Sequence, residues 1–255
     1  MKVIILAGGL GTRLSEETSL KPKPMVEIGG FPIIWHIMKI YSHYGFNDFV
    51  IALGYKGEII KDYFLKYLQH HSNLTIDLKN DKVTKHNKYN EDWIINLIST
   101  GNDSFTGNRI KKTMEHIGKE RVMLTYGDGL SNININKLLE FHLEHKKLAT
   151  LTAVRPTARF GELKFNGSNV TKFSEKPITG EGWVNGGFFV LEPEVLDYIN
   201  EKNEPFEASS LEKLSSDGQL HGYKHEGFWH AMDFIRDNNT LNEMWQTKKA
   251  PWKIW

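Results

Sequence analysis

The 255-residue sequence predicts an α/β fold: a Rossmann-like, doubly wound, mostly parallel sheet with extra β-rich segments. Three observations predict it. Short apolar runs alternate with stretches whose apolar residues recur at helical spacing, the rhythm of βαβ units. A glycine turn, LAGGLGTRL at 6–14, comes directly after the first apolar run. The second half carries four further strand-like runs before two closing helices.

VIILA (3–7) is unbroken and apolar, the mark of a strand covered on both faces. PIIWHIMKIYSHYG (32–45) sets apolar residues at helical intervals between an opening proline and a closing glycine, and so predicts a helix. FVIAL (49–53) is the second buried strand and GEIIKDYFLKYL (57–68) the second helix. LTIDLKN and DKVTKHN predict two strands about a turn, and WIINLIS (93–99) a further strand. The polar, β-like stretch from about 69 to 105 is expected to be an excursion from the main sheet. RVMLTYGDG (121–129) is a strand ending in a turn, and INKLLEFHLEHK (135–146) is the helix after it. LATLTAV, GELKFNG, VTKFSEK and WVNGGFFVL are the later strands, with helices near 209–216 and 234–246. No linker, repeat or low-complexity tract interrupts the chain, so a single domain over 1–255 is expected.

Net charge is +1 with no long run of either sign, which argues against the basic stripe of a nucleic-acid binder. There is no cysteine, so disulfides and thiolate metal sites are excluded and the cytoplasm is the expected compartment. The apolar run in MKVIILAGG is too short for a secretory signal. No segment approaches the roughly 18 apolar residues of a membrane span. Neither nucleic acid nor membrane is an expected partner.

Strand, glycine turn and helix in succession aim backbone amides at phosphate. The dinucleotide fingerprint needs a third glycine where this chain has Leu14, and an acidic residue where it has Leu53, Gly54 and Tyr55. A P-loop needs G-K-[ST] at the end of its loop, and the tripeptide is absent here. The chain continues instead to Arg13, and then to Lys23 in LKPKPMVEI. An arginine forks onto phosphate oxygens and a lysine acts as a mobile charge, a pairing that suits a triphosphate.

LAGGLGTRL with KPKPMVEIGG after it resembles the signature of the sugar nucleotidyltransferases, which join a sugar 1-phosphate to a nucleotide. The likeness continues through PIIWHIMKIY, GYKG, TYGDG, FGEL, EKP, WVNGGFFV, GFW, MD and KAPWK. It implies a sheet of the nucleotidyltransferase type, with CTP and α-D-glucose 1-phosphate as substrates and Mg2+ as cofactor. In the implied reaction a sugar-phosphate oxygen attacks the α-phosphorus and pyrophosphate leaves opposite. Alignment and charge neutralisation do most of that work, so no side-chain nucleophile is required. The resemblance further implies a homo-oligomer and admits a hexamer; the sequence itself sets no stoichiometry.

Carried over by resemblance, the nucleotide residues are Leu6, Gly8, Gly9, Gly11, Thr12, Arg13 and Lys23, with Thr106 and Arg109 from TGNDSFTGNRI. Arg13, Lys23 and Lys176 are the expected catalytic cations. Tyr126, Gly127, Glu175, Lys176, Asn185 and Gly186 are expected on the sugar-phosphate side. Asp128 and Asp233 are the expected metal ligands, Asp128 at a strand's carboxyl end, where open α/β sheets place ligands. Base recognition is expected from backbone near Gly8 and the Gly54-Tyr55-Lys56 turn.

Trp35, His36, Phe228 and Trp229 are expected to pack, Trp229 with the option of walling the site. His70 and His71 are expected in solvent, and KAPWKIW to dock on the body or on another subunit. The chain leaves the family pattern twice. HAMDF stands where Q-P-M-D-T is usual after GFW, and FEASSLE where W-E-x-x-P-L-E is usual. Three alternatives remain open: another nucleotide or sugar with the same chemistry, a non-catalytic sugar-nucleotide sensor, and an NAD enzyme. The NAD reading is opposed by Leu14 and the missing acidic residue.

Overall fold

Alternate residues of the first strand point to opposite faces, so an all-apolar VIILA requires cover on both. The computed structural model describes residues 1–86, 91–156, 162–166, 168–174 and 182–255. In chain order, β1 (Val3–Ala7) leads through the glycine loop to a 3-10 turn (Thr12–Leu14), α1 (Ser15–Thr18) and a second 3-10 turn (Lys23–Met25). The short β2 (Glu27–Ile28) and β3 (Phe31–Pro32) precede α2 (Ile33–His43). Next come β4 (Asp48–Leu53), α3 (Gly57–His70), β5 (Leu74–Asp77), β6 (Lys82–Lys85), β7 (Ile94–Ser99), α4 (Thr106–Ile117) and β8 (Val122–Tyr126). The second half runs β9 (Gly129–Ser131), α5 (Ile135–His145), β10 (Ala149–Val154), β11 (Glu162–Asn166), β12 (Asn169–Ser174), β13 (Val184–Asn185) and β14 (Phe189–Leu191). A 3-10 turn (Pro193–Tyr198), α6 (Ser209–Ser216), β15 (Leu220–His225), β16 (Trp229–Ala231) and α7 (Ile235–Gln246) complete it.

The main sheet runs β13-β10-β14-β8-β1-β4-β7, with β15 paired to β10. The β8-β1-β4-β7 run and the β10–β15 pair are parallel, while β14 and β13 enter antiparallel. Val3, Ile5 and Ala7 enter one core with Ile33, Ile37 and Tyr41 of α2. Ile4 and Leu6 enter a second core with Ile110 and Met114 of α4. Both faces are thus sealed, each fully buried aliphatic side chain contributing about 2 kcal/mol before entropy is counted. Leu6 lies opposite Ala52 on one side and Tyr126 on the other, so the segments leaving β1 and β8 emerge side by side.

Several elements differ from the sequence expectation. Within the 69–105 stretch β7 pairs in parallel with β4 and belongs to the main sheet, and among its described residues the β5–β6 hairpin, residues 74–85, is the part that stands apart. The expected strand at 183–191 is broken at Gly186–Phe188 into β13 and β14. Both pieces lie along one edge of β10, because β15 occupies the other over its whole length. β15 itself has no counterpart in the sequence expectation: LHGYKH has no apolar run, since its residues are half-buried or exposed. The expected docking of the C-terminal segment on the body is observed, with Trp252 fully buried and stacked on Phe228 at 5.6 Å.

Candidate active site

A cavity of about 350 Å³ opens at the carboxyl ends of β1 and β8. Leu6, Gly8, Gly9, Gly11 and Thr12 form one wall, Thr106 and Arg109 the next, and Tyr126, Gly127 and Asp128 a third. Lys23 and Asp233 complete the circle. Twelve of the sequence-expected residues therefore meet in one place. Gly11 has φ +65°, a left-handed conformation open to glycine at little cost, which turns the loop back toward Lys23.

Lys23 occupies the centre. Its Nζ donates to Asp128 Oδ2 at 2.6 Å and to Asp233 Oδ1 at 3.0 Å. Burial works against this ammonium, but the two carboxylates outweigh it and hold its pKa above the ordinary lysine value. Lys23 is carried by the 3-10 turn after the glycine loop, and Asp128 by the turn after β8. Asp233 is held just ahead of α7, where Asp237 Oδ2 accepts the backbone N–H of Asp233 at 2.9 Å and of Phe234 at 2.8 Å. Asp237 thus supplies from the first turn the capping acceptor that Phe234 cannot offer.

Arg109 lines the cavity, yet its guanidinium is turned into the fold. Nη1 donates to Leu53 O (3.1 Å), Gly101 O (2.9 Å) and Thr100 Oγ1 (2.6 Å). Nη2 donates to Gly8 O (2.8 Å) and Asn102 O (3.2 Å). Burial pulls its pKa down. The residue expected at the nucleotide is therefore engaged as a strut beneath the glycine loop, and a Cβ on Gly8 or Gly54 would collide with it. The Gly54-Tyr55-Lys56 turn is not among the described lining residues; Tyr55 N–H donates to Gly8 O at 3.2 Å and supports the loop from behind.

On the opposite side, Tyr126 contacts the expected Asn185 and also Glu207, which the sequence expectation omitted. Its hydroxyl donates to Glu207 and accepts from Asn185 Nδ2 at 3.0 Å. Burial first, then the Glu207 charge, push the Tyr126 pKa far up, so the hydroxyl keeps its proton. Gly186 O accepts the Trp229 indole N–H at 2.8 Å, which puts Trp229 beside the acceptor-side residues. Asn185 and Gly186 are not among the described residues that line the cavity; Asn185 joins it through the Tyr126 hydroxyl. Ser104, Phe105 and Pro24 line the cavity without having been expected; only their neighbours in the motifs pointed to them. Glu175 and Lys176 lie outside the described residues, as does the Arg13 side chain.

A glycine-walled cavity with a lysine at its centre, at the carboxyl ends of parallel strands, defines an α/β protein that receives a phosphorylated ligand. The chain belongs to the nucleotidyl transferase family, whose model matches residues 2–233. It is 48% identical over 256 aligned residues, spanning 100% of both chains, to the glucose-1-phosphate cytidylyltransferase of Salmonella typhimurium. A mannose-1-phosphate guanyltransferase of Aspergillus fumigatus is 28% identical over 90% of this chain and 60% of its own. Among solved structures, HddC from Yersinia pseudotuberculosis has a TM-score of 0.70 at 24% identity, covering 96% of this chain and 99% of that one, a likeness of fold.

Proposed function

We propose that the protein transfers the cytidylyl group of CTP to α-D-glucose 1-phosphate, giving CDP-glucose and pyrophosphate. One observation carries the chemistry: Lys23, Asp128 and Asp233 converge in the cavity walled by the glycine loop. The choice of cytosine and glucose rests on the full-length likeness to the Salmonella relative. In this reading the glycine loop and Lys23 receive the triphosphate, with Arg13 and Lys176 as the further cations. Tyr126, Gly127, Glu175, Asn185 and Gly186 hold the sugar phosphate. Alignment of the sugar-phosphate oxygen with the α-phosphorus, in a cavity with cationic charge already placed, supplies the rate enhancement.

Members of this family generally use a divalent metal. The residues present fit one: Asp128 and Asp233 are hard oxygen donors already gathered about a single cationic point. Among the described residues no group of three or more His, Asp or Glu could hold a metal alone. Two carboxylates plus substrate phosphates is the ligand set that Mg2+ favours. When bound there, the ion supplies positive charge for the phosphate oxygens.

Incubation with CTP, glucose 1-phosphate and Mg2+ should release pyrophosphate, and no release with any hexose 1-phosphate refutes the reading. Asp128→Asn should remove turnover by about 100-fold or more, on the order of an electrostatic catalytic loss, while calorimetry still detects CTP. A panel of the four common NTPs against several sugar phosphates fixes the substrate pair. No helix among the described residues is long and apolar enough to cross a membrane. The proposed homo-oligomer, a hexamer included, is tested by light scattering on the eluted protein.

A further inference from the structure

The turn before α6 sends one carboxylate behind the cavity. Glu207 Oε2 accepts the Thr106 hydroxyl at 2.7 Å, and its Oε1 accepts the Tyr126 hydroxyl. Each hydroxyl is also an acceptor, Thr106 from Phe206 N–H at 2.8 Å and Tyr126 from Asn185 Nδ2 at 3.0 Å. Asn185 Oδ1 takes the Gly187 N–H at 2.9 Å. A hydroxyl has one proton and a carboxylate has none, so the chain has one direction throughout. Tyr126 must donate to Glu207, and Asn185 must turn its amide nitrogen to Tyr126, which leaves one amide proton for a ligand. Among the described residues no lysine or arginine makes an ion pair with Glu207. The same segment is laced to the cavity rim, Phe105 N–H donating to Asn203 Oδ1 at 2.8 Å and Asn203 Nδ2 to Asp103 O at 2.7 Å.

We propose that Glu207 is a positioning residue for the acceptor: through Tyr126, and together with the Gly187 N–H, it holds Asn185 so that a single N–H donor is presented to the sugar 1-phosphate. This rests on the reading of a sugar phosphate as acceptor. The carboxylate acts by accepting two hydrogen bonds rather than by its charge, which separates two substitutions. In Glu207→Gln the amide oxygen still accepts from Tyr126. Its nitrogen faces Thr106, whose oxygen can take a second donor and turn its own proton elsewhere. In Glu207→Leu nothing accepts from Tyr126, whose proton can then turn on the Asn185 amide nitrogen, and only the Gly187 N–H is left to hold that amide.

The test is steady-state kinetics on the full chain with CTP and glucose 1-phosphate varied separately. Glu207→Leu and Tyr126→Phe should each raise the KM for the sugar phosphate about tenfold, the scale of one misdirected hydrogen bond, and move the KM for CTP less than about threefold. Glu207→Gln should restore the acceptor KM to within about threefold of the parent. The double variant Tyr126→Phe/Glu207→Leu should be no worse than either single one, because both act along one chain of bonds. Equal rises in both KM values, or a Glu207→Gln protein as impaired as Glu207→Leu, overturn the proposal. Should Glu207→Leu fail to fold, Tyr126→Phe and Glu207→Gln decide the question alone. A parent protein inactive toward every sugar phosphate would instead overturn the acceptor reading itself.

Discussion

Arg109→Met tests whether the buried guanidinium carries the glycine loop or serves the nucleotide. The substitution keeps much of the apolar stem and removes five hydrogen bonds, four of them to backbone carbonyls. A hydrogen bond from a charged donor contributes about 1.5–3 kcal/mol, but the three made by Nη1 share two protons and the set is not additive. Water can reach the partly exposed Gly101 and Asn102 and replace some of what is lost. The buried carbonyls of Gly8 and Leu53 have less recourse, which leaves about 3–5 kcal/mol of lost stability. Urea unfolding monitored by tryptophan fluorescence measures it, the midpoint falling with the slope unchanged. Arg109→Lys should recover only part, since a single ammonium cannot serve both the Leu53, Thr100 and Gly101 oxygens held by Nη1 and the Gly8 and Asn102 oxygens held by Nη2. A loss below about 1 kcal/mol with a large fall in CTP affinity would refute the strut and return Arg109 to the nucleotide-binding role expected from the sequence.

Two more buried positions carry measurable consequences. His36 is fully buried, its Nε2 donating to Ile28 O at 2.8 Å and its Nδ1 accepting from the Trp252 indole at 3.4 Å. Burial pushes its pKa down from 6.5 to about 4. The unfolded chain takes up this proton near pH 6.5 and the folded one near 4. Its contribution is therefore complete above pH 6.5 and lost on acidification toward pH 4, by up to about 3 kcal/mol. Urea midpoints across that window should fall less steeply in a His36→Gln variant than in the parent. Gly8→Ala should cost about 1–3 kcal/mol by overpacking against Arg109, and should weaken CTP binding with it, read by thermal unfolding with and without CTP.

The central strands were legible because burial on both faces leaves an unbroken apolar run, as in β1 and β4. β15 was not, because a half-buried strand with histidine, lysine and glycine has no period to read, and neither was β16, whose three half-buried residues are too few to show one. Asp128, Asp233 and Lys23 were found through motifs, and the fold brings them into contact. The engagement of Arg109 escaped the sequence for a physical reason: its partners are mostly carbonyl oxygens, which every residue type carries alike. Glu207 keeps the glutamate of the family pattern, but it escaped because its segment was read only for its departures at Phe206 and Ser210, and its two partners lie 81 and 101 positions away.

The three charged groups that pair with one another in the cavity stand at positions 23, 128 and 233, and α7 beyond them is fastened to the first quarter of the chain by Asn238 and Asn242 on Glu27 O. A nascent chain on the ribosome cannot bring this trio together until residue 233 has emerged, so synthesis interrupted before that point leaves the pocket without one of its two carboxylates.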